Sequence, residues 1–286
     1  MNSCYVDGRM RFLTLRFAGV FLVLLPVMTS LRAQSVSERQ KQLNDFLTEE
    51  WEFEMRSQPE VATIFGDYRY NNKLSDLSSA GIKANVEQTR RFLDRLEKID
   101  TTGLPDSDQL NKRLLARNLG LTLQSFDLKL HEMPIDQMNG FHLLVTQLVP
   151  LTPFRNVKDY EDYLARLHQL PRAFDQVIEL AKAGERDGLM PPRRLLEKVV
   201  AQSGSIAGAA LAPDSPFLTP LQHFPEQVAG ADQTRLRAAI QTAVKTERSF
   251  QLTNAIHNSS KMNMRPKAGL RTPPLPCPTG QPSIVF

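Results

Sequence analysis

The first chemistry to test is a zinc-activated water. A zinc peptidase helix carries two His at i and i+4, with Glu beside the first as general base. His131-Glu132-Met133-Pro134-Ile135 starts in that way, but Ile135 stands where the second ligand belongs, and Pro134 interrupts the helix that must aim both. His142, His168, His223 and His257 are scattered with no short spacing, so each reads as an ordinary core-edge or surface histidine. Gly204-Ser205-Ile206-Ala207-Gly208 puts its Ser one position too early for a nucleophile elbow, and reads instead as small residues closing a helix. Glu49-Glu50 reads as part of a solvated helix face, and no Gly-rich phosphate loop or calcium-loop pattern occurs. No recognisable catalytic constellation emerges, and no cofactor is expected in this chain.

One stretch keeps two readings. Phe65–Gly81, FGDYRYNNKLSDLSSAG, packs three aromatics and four charges into seventeen residues. Gly66, Asn71, Asn72, Ser78 and Ser79 favour turns, and Tyr68 and Tyr70 have apolar bodies with hydroxyls that need partners. It is either a turn that pins the first helices, the preferred reading, or one wall of a substrate cleft in which Asp67, Tyr68, Arg69 and Tyr70 face the substrate.

The elements that must position these residues are helices. Leu43, Phe46, Leu47, Trp51 and Met55 form an apolar stripe over 36–57, and Pro59 opens a short helix that Gly66 ends. Ile82, Val86, Leu93, Leu96 and Ile99 mark a helix over 82–99. Leu110, Leu114, Leu121 and Leu128 mark a long one capped by Asp106 or Ser107. The pattern then predicts a helix over 135–149 ending before Pro150, and one capped by Asn156 with Tyr160, Tyr163, Leu167 and Leu170 on one side. Beyond a break at Pro171 come elements ending at Gly184, over 191–203, and over 232–250 with Asp232 as cap and Leu236, Ile240 and Val244 inward. Alternating strand patterns are nearly absent, and no fixed repeat suggests a solenoid. The expected class is mainly α, a multi-helix array.

The ends differ from the body. Arg9, Arg11 and Arg16 precede an apolar core over 17–28 and a small-residue cleavage region ending at Ala33, so residues 1–33 read as an export signal peptide. That core is about a dozen residues, short of the roughly 20 that span a bilayer, so no stable span is expected after cleavage. The expected location is periplasmic or extracellular. Residues 251–286 hold no Asp or Glu but many Pro. They read as a disordered tail or, the preferred reading, as translation out of frame beginning around 248–258. The net charge of +4 arises in these ends, which carry +3 and +4, so the body, 34–250, is left at −3 and gives no case for nucleic-acid binding. Cys4 and Cys277 also lie in the ends, so the body has no disulfide and must rely on a large apolar core.

Two separated segments carry a family resemblance. FGDYRYNNKLSDLS, preceded by QPEVATI, resembles the N-terminal signature of a large bacterial family of exported proteins called a domain of unknown function. Residues 134–200 resemble its middle region in the order Gln137, Gly140, Pro153-Phe154, a Tyr-rich helix, Leu170-Pro171, Gly184, Gly188 and Pro191-Pro192-Arg193. The resemblance runs from about 36 to about 250. It implies half of a larger helical fold similar to the thimet-oligopeptidase and Taq-carboxypeptidase kind of zinc peptidase, with an H-E-x-x-H motif in a C-terminal half that this chain lacks. MRPKAGLRTPPLPCPTG looks like a garbled form of the family's YxPKGRT…LPDG segment. The implied activity of a full-length relative is zinc-dependent peptide hydrolysis, with peptides as partners. The alternative is a non-enzymatic helical module that binds a peptide or protein.

Overall fold

The computed structural model describes residues 35–212 and 215–246; the expected signal peptide, the tail from 251 and the last residues of the expected 232–250 helix lie outside them. Nine α-helices follow one another, and no strand occurs among the described residues. They are α1 (Val36–Ser57), α2 (Pro59–Ile64), α3 (Ser79–Glu97), α4 (Asp106–Asp127), α5 (Phe141–Leu151), α6 (Val157–Leu167), α7 (Leu170–Asp187), α8 (Arg193–Leu211) and α9 (Gly230–Thr246). Short 3-10 turns occupy Tyr68–Tyr70, Leu130–Glu132 and Pro216–Leu221. The fold is a mainly α, multi-helix array.

Local chemistry explains most boundaries. Pro59 and Pro171 sit in the first turns of α2 and α7, where a missing N–H costs no helical bond. Ser78 caps α3 by accepting from the Gly81 N–H at 3.0 Å, and Asn156 caps α6 by accepting from the Asp159 N–H at 3.1 Å. Gly188 closes α7 in the left-handed region at φ 77°, which is open to glycine at little steric cost.

Other boundaries differ from the sequence expectation. The helix expected over 135–149 begins only at Phe141, because the Asp136 carboxylate accepts from the Met138 and Asn139 N–H groups, both at 2.6 Å, and holds 136–139 as a turn. At its other end α5 runs through Pro150, and the Thr152 N–H still reaches the Leu148 carbonyl at 2.9 Å. α4 is preceded by Pro105 without a side-chain cap, and Asp106 lies inside its first turn beside Asp108, where carboxylates favour the helix dipole. Asp232 likewise lies inside α9 rather than capping it. α7 continues past Gly184, and α8 continues through Gly204 and Gly208 to Leu211, so these small residues do not close their helices. Gly184 is instead a close-approach position, since a Cβ there would come within 2.3 Å of the Glu132 carbonyl oxygen.

The buried side chains form two clusters. The smaller joins α1, α3 and α4 through Leu43, Phe46, Phe92, Leu96 and Leu119, with Ile99 and Leu104 from the connection. Phe46 and Phe92 meet edge-to-face at 5.7 Å. The larger gathers α5 to α9 around Tyr160, Tyr163, Phe174, Phe217, Leu236 and Ile240. Both tyrosines are anchored at the ring's polar end, Tyr163 donating to the Phe217 carbonyl at 3.0 Å and Tyr160 to the Pro220 carbonyl at 3.1 Å. Leu74, from the stretch after α2, is buried with the larger cluster. No helix among the described residues is long and apolar enough to cross a membrane.

Candidate functional site

The Phe65–Gly81 stretch is built as two faces. Its inward face is bound to α6 and α7. Arg166, almost fully buried, donates to the Lys73 carbonyl at 3.0 Å, to Thr63 Oγ1 at 3.0 Å and to the Tyr70 carbonyl at 3.2 Å. Burial pulls this guanidinium down to about 10, against the opposing pull of Glu60 and Asp162, so it remains charged at neutral pH. Gln169 accepts from the Leu74 N–H and donates to the Asn72 carbonyl, while Gln176 accepts from the Leu77 N–H and donates to Asp76. Buried Glu60 accepts from the Ser75 backbone at 3.0 Å and from its hydroxyl at 2.5 Å, and Thr63 donates to buried Asn71 at 2.7 Å.

The outward face carries Asp67, Tyr68, Arg69 and Tyr70. Asp67 takes the Arg69 guanidinium through both carboxylate oxygens, at 2.6–3.2 Å, and Arg69 also reaches Glu52 of α1 at 2.7 Å. The Arg69 hydrogen bond holds the Asp67 carboxyl below its ordinary value. Arg69 lies over the Tyr70 ring at 5.4 Å, and Arg155 over the Tyr68 ring at 5.3 Å. Exposed Phe65 packs on Trp51 at 5.5 Å. The structure thus brings the four residues together as a surface ion-pair and cation–π group, and they line neither of the two larger cavities described next.

Those cavities meet at Ile82 and His131. One, about 480 Å³, lies among α1, α3 and α4, with Phe53, Val86, Leu121 and Phe126 on its walls. The other, about 510 Å³, lies among α3, α5 and α7, with Leu77, Met138, Phe141, Leu144 and Val177 on its walls. Apolar lining with a few polar groups suits an apolar or peptide-like ligand. His131 stacks on Phe126 at 4.8 Å and 13°, and burial lowers its proton affinity. Sequence reasoning considered His131 only as a failed metal ligand; its place at this junction follows from the turn Leu130–Glu132 docking between α4 and α7, which no local pattern announces.

The remaining titratable groups are dispersed. His142 is fully buried, more deeply than its expected core-edge place, whereas His168 and His223 are exposed and His257 lies outside the described residues. Among the described residues no three His, Cys, Asp or Glu side chains are placed to hold a metal ion. The pair expected on a solvated face is split: Glu49 pairs with Arg95 at 2.6 Å, but Glu50 is half-buried and its carboxyl is pushed up to about 7, by burial first and the neighbouring Glu54 second.

Comparison with known proteins gives a consistent picture. No curated protein matches. A crystal structure of a protein from Colwellia psychrerythraea, described there as a candidate lipoprotein, is similar at a TM-score of 0.66 and 14% identity; the match covers 79% of this chain and 41% of that one. This chain therefore spans about two fifths of that solved structure, and the likeness is one of fold. The family model described as bacterial protein of unknown function (DUF885) matches residues 59–269, so that both segments singled out above, the turn after α2 and the run from 134 to 200, fall inside it, and the chain belongs to that family.

Proposed function

We propose that this chain is the N-terminal, scaffold-forming part of an exported helical peptide hydrolase, inactive alone, whose zinc-gripping residues belong to sequence beyond it. The observation that carries this reading is the outer face of α4. Leu110, Leu114 and Leu121, with Leu128 at the C-cap, recur on one side of the helix and are each 45–58% exposed, Leu121 also bordering the cavity among α1, α3 and α4. Apolar side chains left exposed along one side of a helix fit a surface that another element covers. Supporting context comes from the match to 41% of a longer solved chain, and the lipoprotein description of that protein agrees with export. In such a hydrolase the zinc ligands and the Glu base would come from sequence beyond this chain, and the two cavities that meet at Ile82 and His131 would hold the peptide.

A second reading, a helical module that binds a peptide without chemistry, is favoured by the apolar junction at Ile82 and His131. One comparison separates them. The purified 286-residue chain and a version extended by about 250 codons of the downstream reading frame are each assayed for bound zinc and peptide cleavage. The hydrolase reading requires stoichiometric zinc and cleavage in the extended protein and neither in the short one. Zinc-free, inactive extended protein that still binds peptides would leave the binding module; cleavage by the short chain would sink both.

A further inference from the structure

Two imidazoles bracket the segment that walls the cavity among α3, α5 and α7 and touches the other cavity through His131. At one end His131 lies against Phe126, its Nδ1 buried without a hydrogen-bond partner. At the other, His142 of α5 is fully buried, and neither ring nitrogen makes a hydrogen bond of ordinary geometry. Its ring lies directly on the backbone at Gly140: a Cβ there would stand 2.2 Å from Cε1 and 2.3 Å from Nδ1. Between the two histidines, the Glu132 carbonyl presses against Gly184, and the Gln137 carbonyl accepts from Gln202 at 3.0 Å.

We propose that His131 and His142 form an acid-sensitive latch, which holds segment 130–141 closed over the cavity among α3, α5 and α7 when neutral and releases it when protonated. The groups around them set the sign. Facing His142 are Asp136 on the segment and uncharged Gln202 on α8; the Asp136 carboxylate is already engaged by two backbone N–H groups. Near His131 are Glu132 and Lys129, with Phe126 on the α4 side, and Lys129 is paired with Asp187 of α7. A proton on either ring therefore places a cation where burial outweighs the available negative charge. Burial is the leading cause that lowers both histidines below their ordinary value.

The sign follows by linkage. A group whose proton affinity is lower in the closed state favours that state above its ordinary value, about 6.5. The advantage is lost as pH falls below it, because the open form takes up the proton first. Opening uncovers His131, Pro134, Gly140 and Phe141, which line the cavity among α3, α5 and α7, whereas Met138 and Asn139 on the same wall are already exposed. For one proton taken up only by the open form, the open population rises up to about thirtyfold between pH 7.5 and 5.0.

Amide hydrogen exchange on the full 286-residue chain tests this, with rates corrected for the intrinsic effect of pH and peptides from 130–141 compared with peptides from α9. The expected result is a rise approaching that factor in 130–141, none in α9, and a flattened profile in His142→Gln and His131→Gln. A rise that survives both substitutions, or appears equally in α9, overturns the latch. Should the variants fail to fold, the wild-type imidazole resonances decide: titration of His142 below the ordinary histidine value supports the latch, and titration at or above it overturns it.

Discussion

Arg166 is the residue on which the turn after α2 depends. It projects from α6 into a site 4% exposed and supplies donors to two carbonyls of that turn and to Thr63 of α2, near the carboxylate of Glu60. Replacing it with Met keeps the aliphatic stem but leaves the Tyr70 and Lys73 carbonyls without those donors and Glu60 without its nearby cation. Breaking a buried charged network in this way costs about 3–5 kcal/mol. Urea unfolding of Arg166→Met should show that loss, and a change below about 1 kcal/mol would mean the clamp is idle. The turn chemistry around Gly66 and Asn71 was legible in the sequence; its partners, about a hundred residues away, were not. A signal did exist, because Arg166 falls on the same helical face as Tyr163, Leu167 and Leu170, where a solvated arginine has no place.

Among the elements, α4 shows what periodicity can and cannot say. Its leucine row predicted the helix correctly, but that row is not the side turned to the core. Instead Leu119, off that row, is the buried contact to the α1–α3 cluster. A repeat of apolar residues reports that a face needs cover without naming what covers it. Since Leu110 and Leu114 are 45% and 49% exposed and lie outside both buried clusters, Leu110→Lys with Leu114→Lys should shift unfolding stability by no more than about 0.5 kcal/mol per site. The same variant should lower self-association, measured by light scattering against concentration. A stability loss of several kcal/mol would show the row to be core after all. The late start of α5 and the continuation of α7 and α8 past their glycines were hidden for related reasons. Asp136 competes for backbone N–H groups locally, and a glycine within a helix ends it only when the chain beyond turns away.

At the scale of the molecule, the two clusters are unequal and are bridged by polar contacts. Among the described residues, seven buried side chains hold α1, α3 and α4 together, against twenty-one around α5 to α9. Between them, the stretch from Asn72 to Leu77 is fastened to α6 and α7 by Arg166, Gln169 and Gln176. Local opening free energy follows the apolar burial that must be undone, so the smaller cluster should open first and the larger should set the global limit. Native-state hydrogen exchange should find the greatest protection around Leu236 to Val244 of α9, and weaker protection around Phe92 to Leu96 of α3. In Arg166→Met the gap should widen, because the fastening, not the clusters themselves, is what weakens. Equal protection in α3 and α9 that falls together in the variant would mean a single cooperative unit, and the polar seam would then be as strong as the cores it joins.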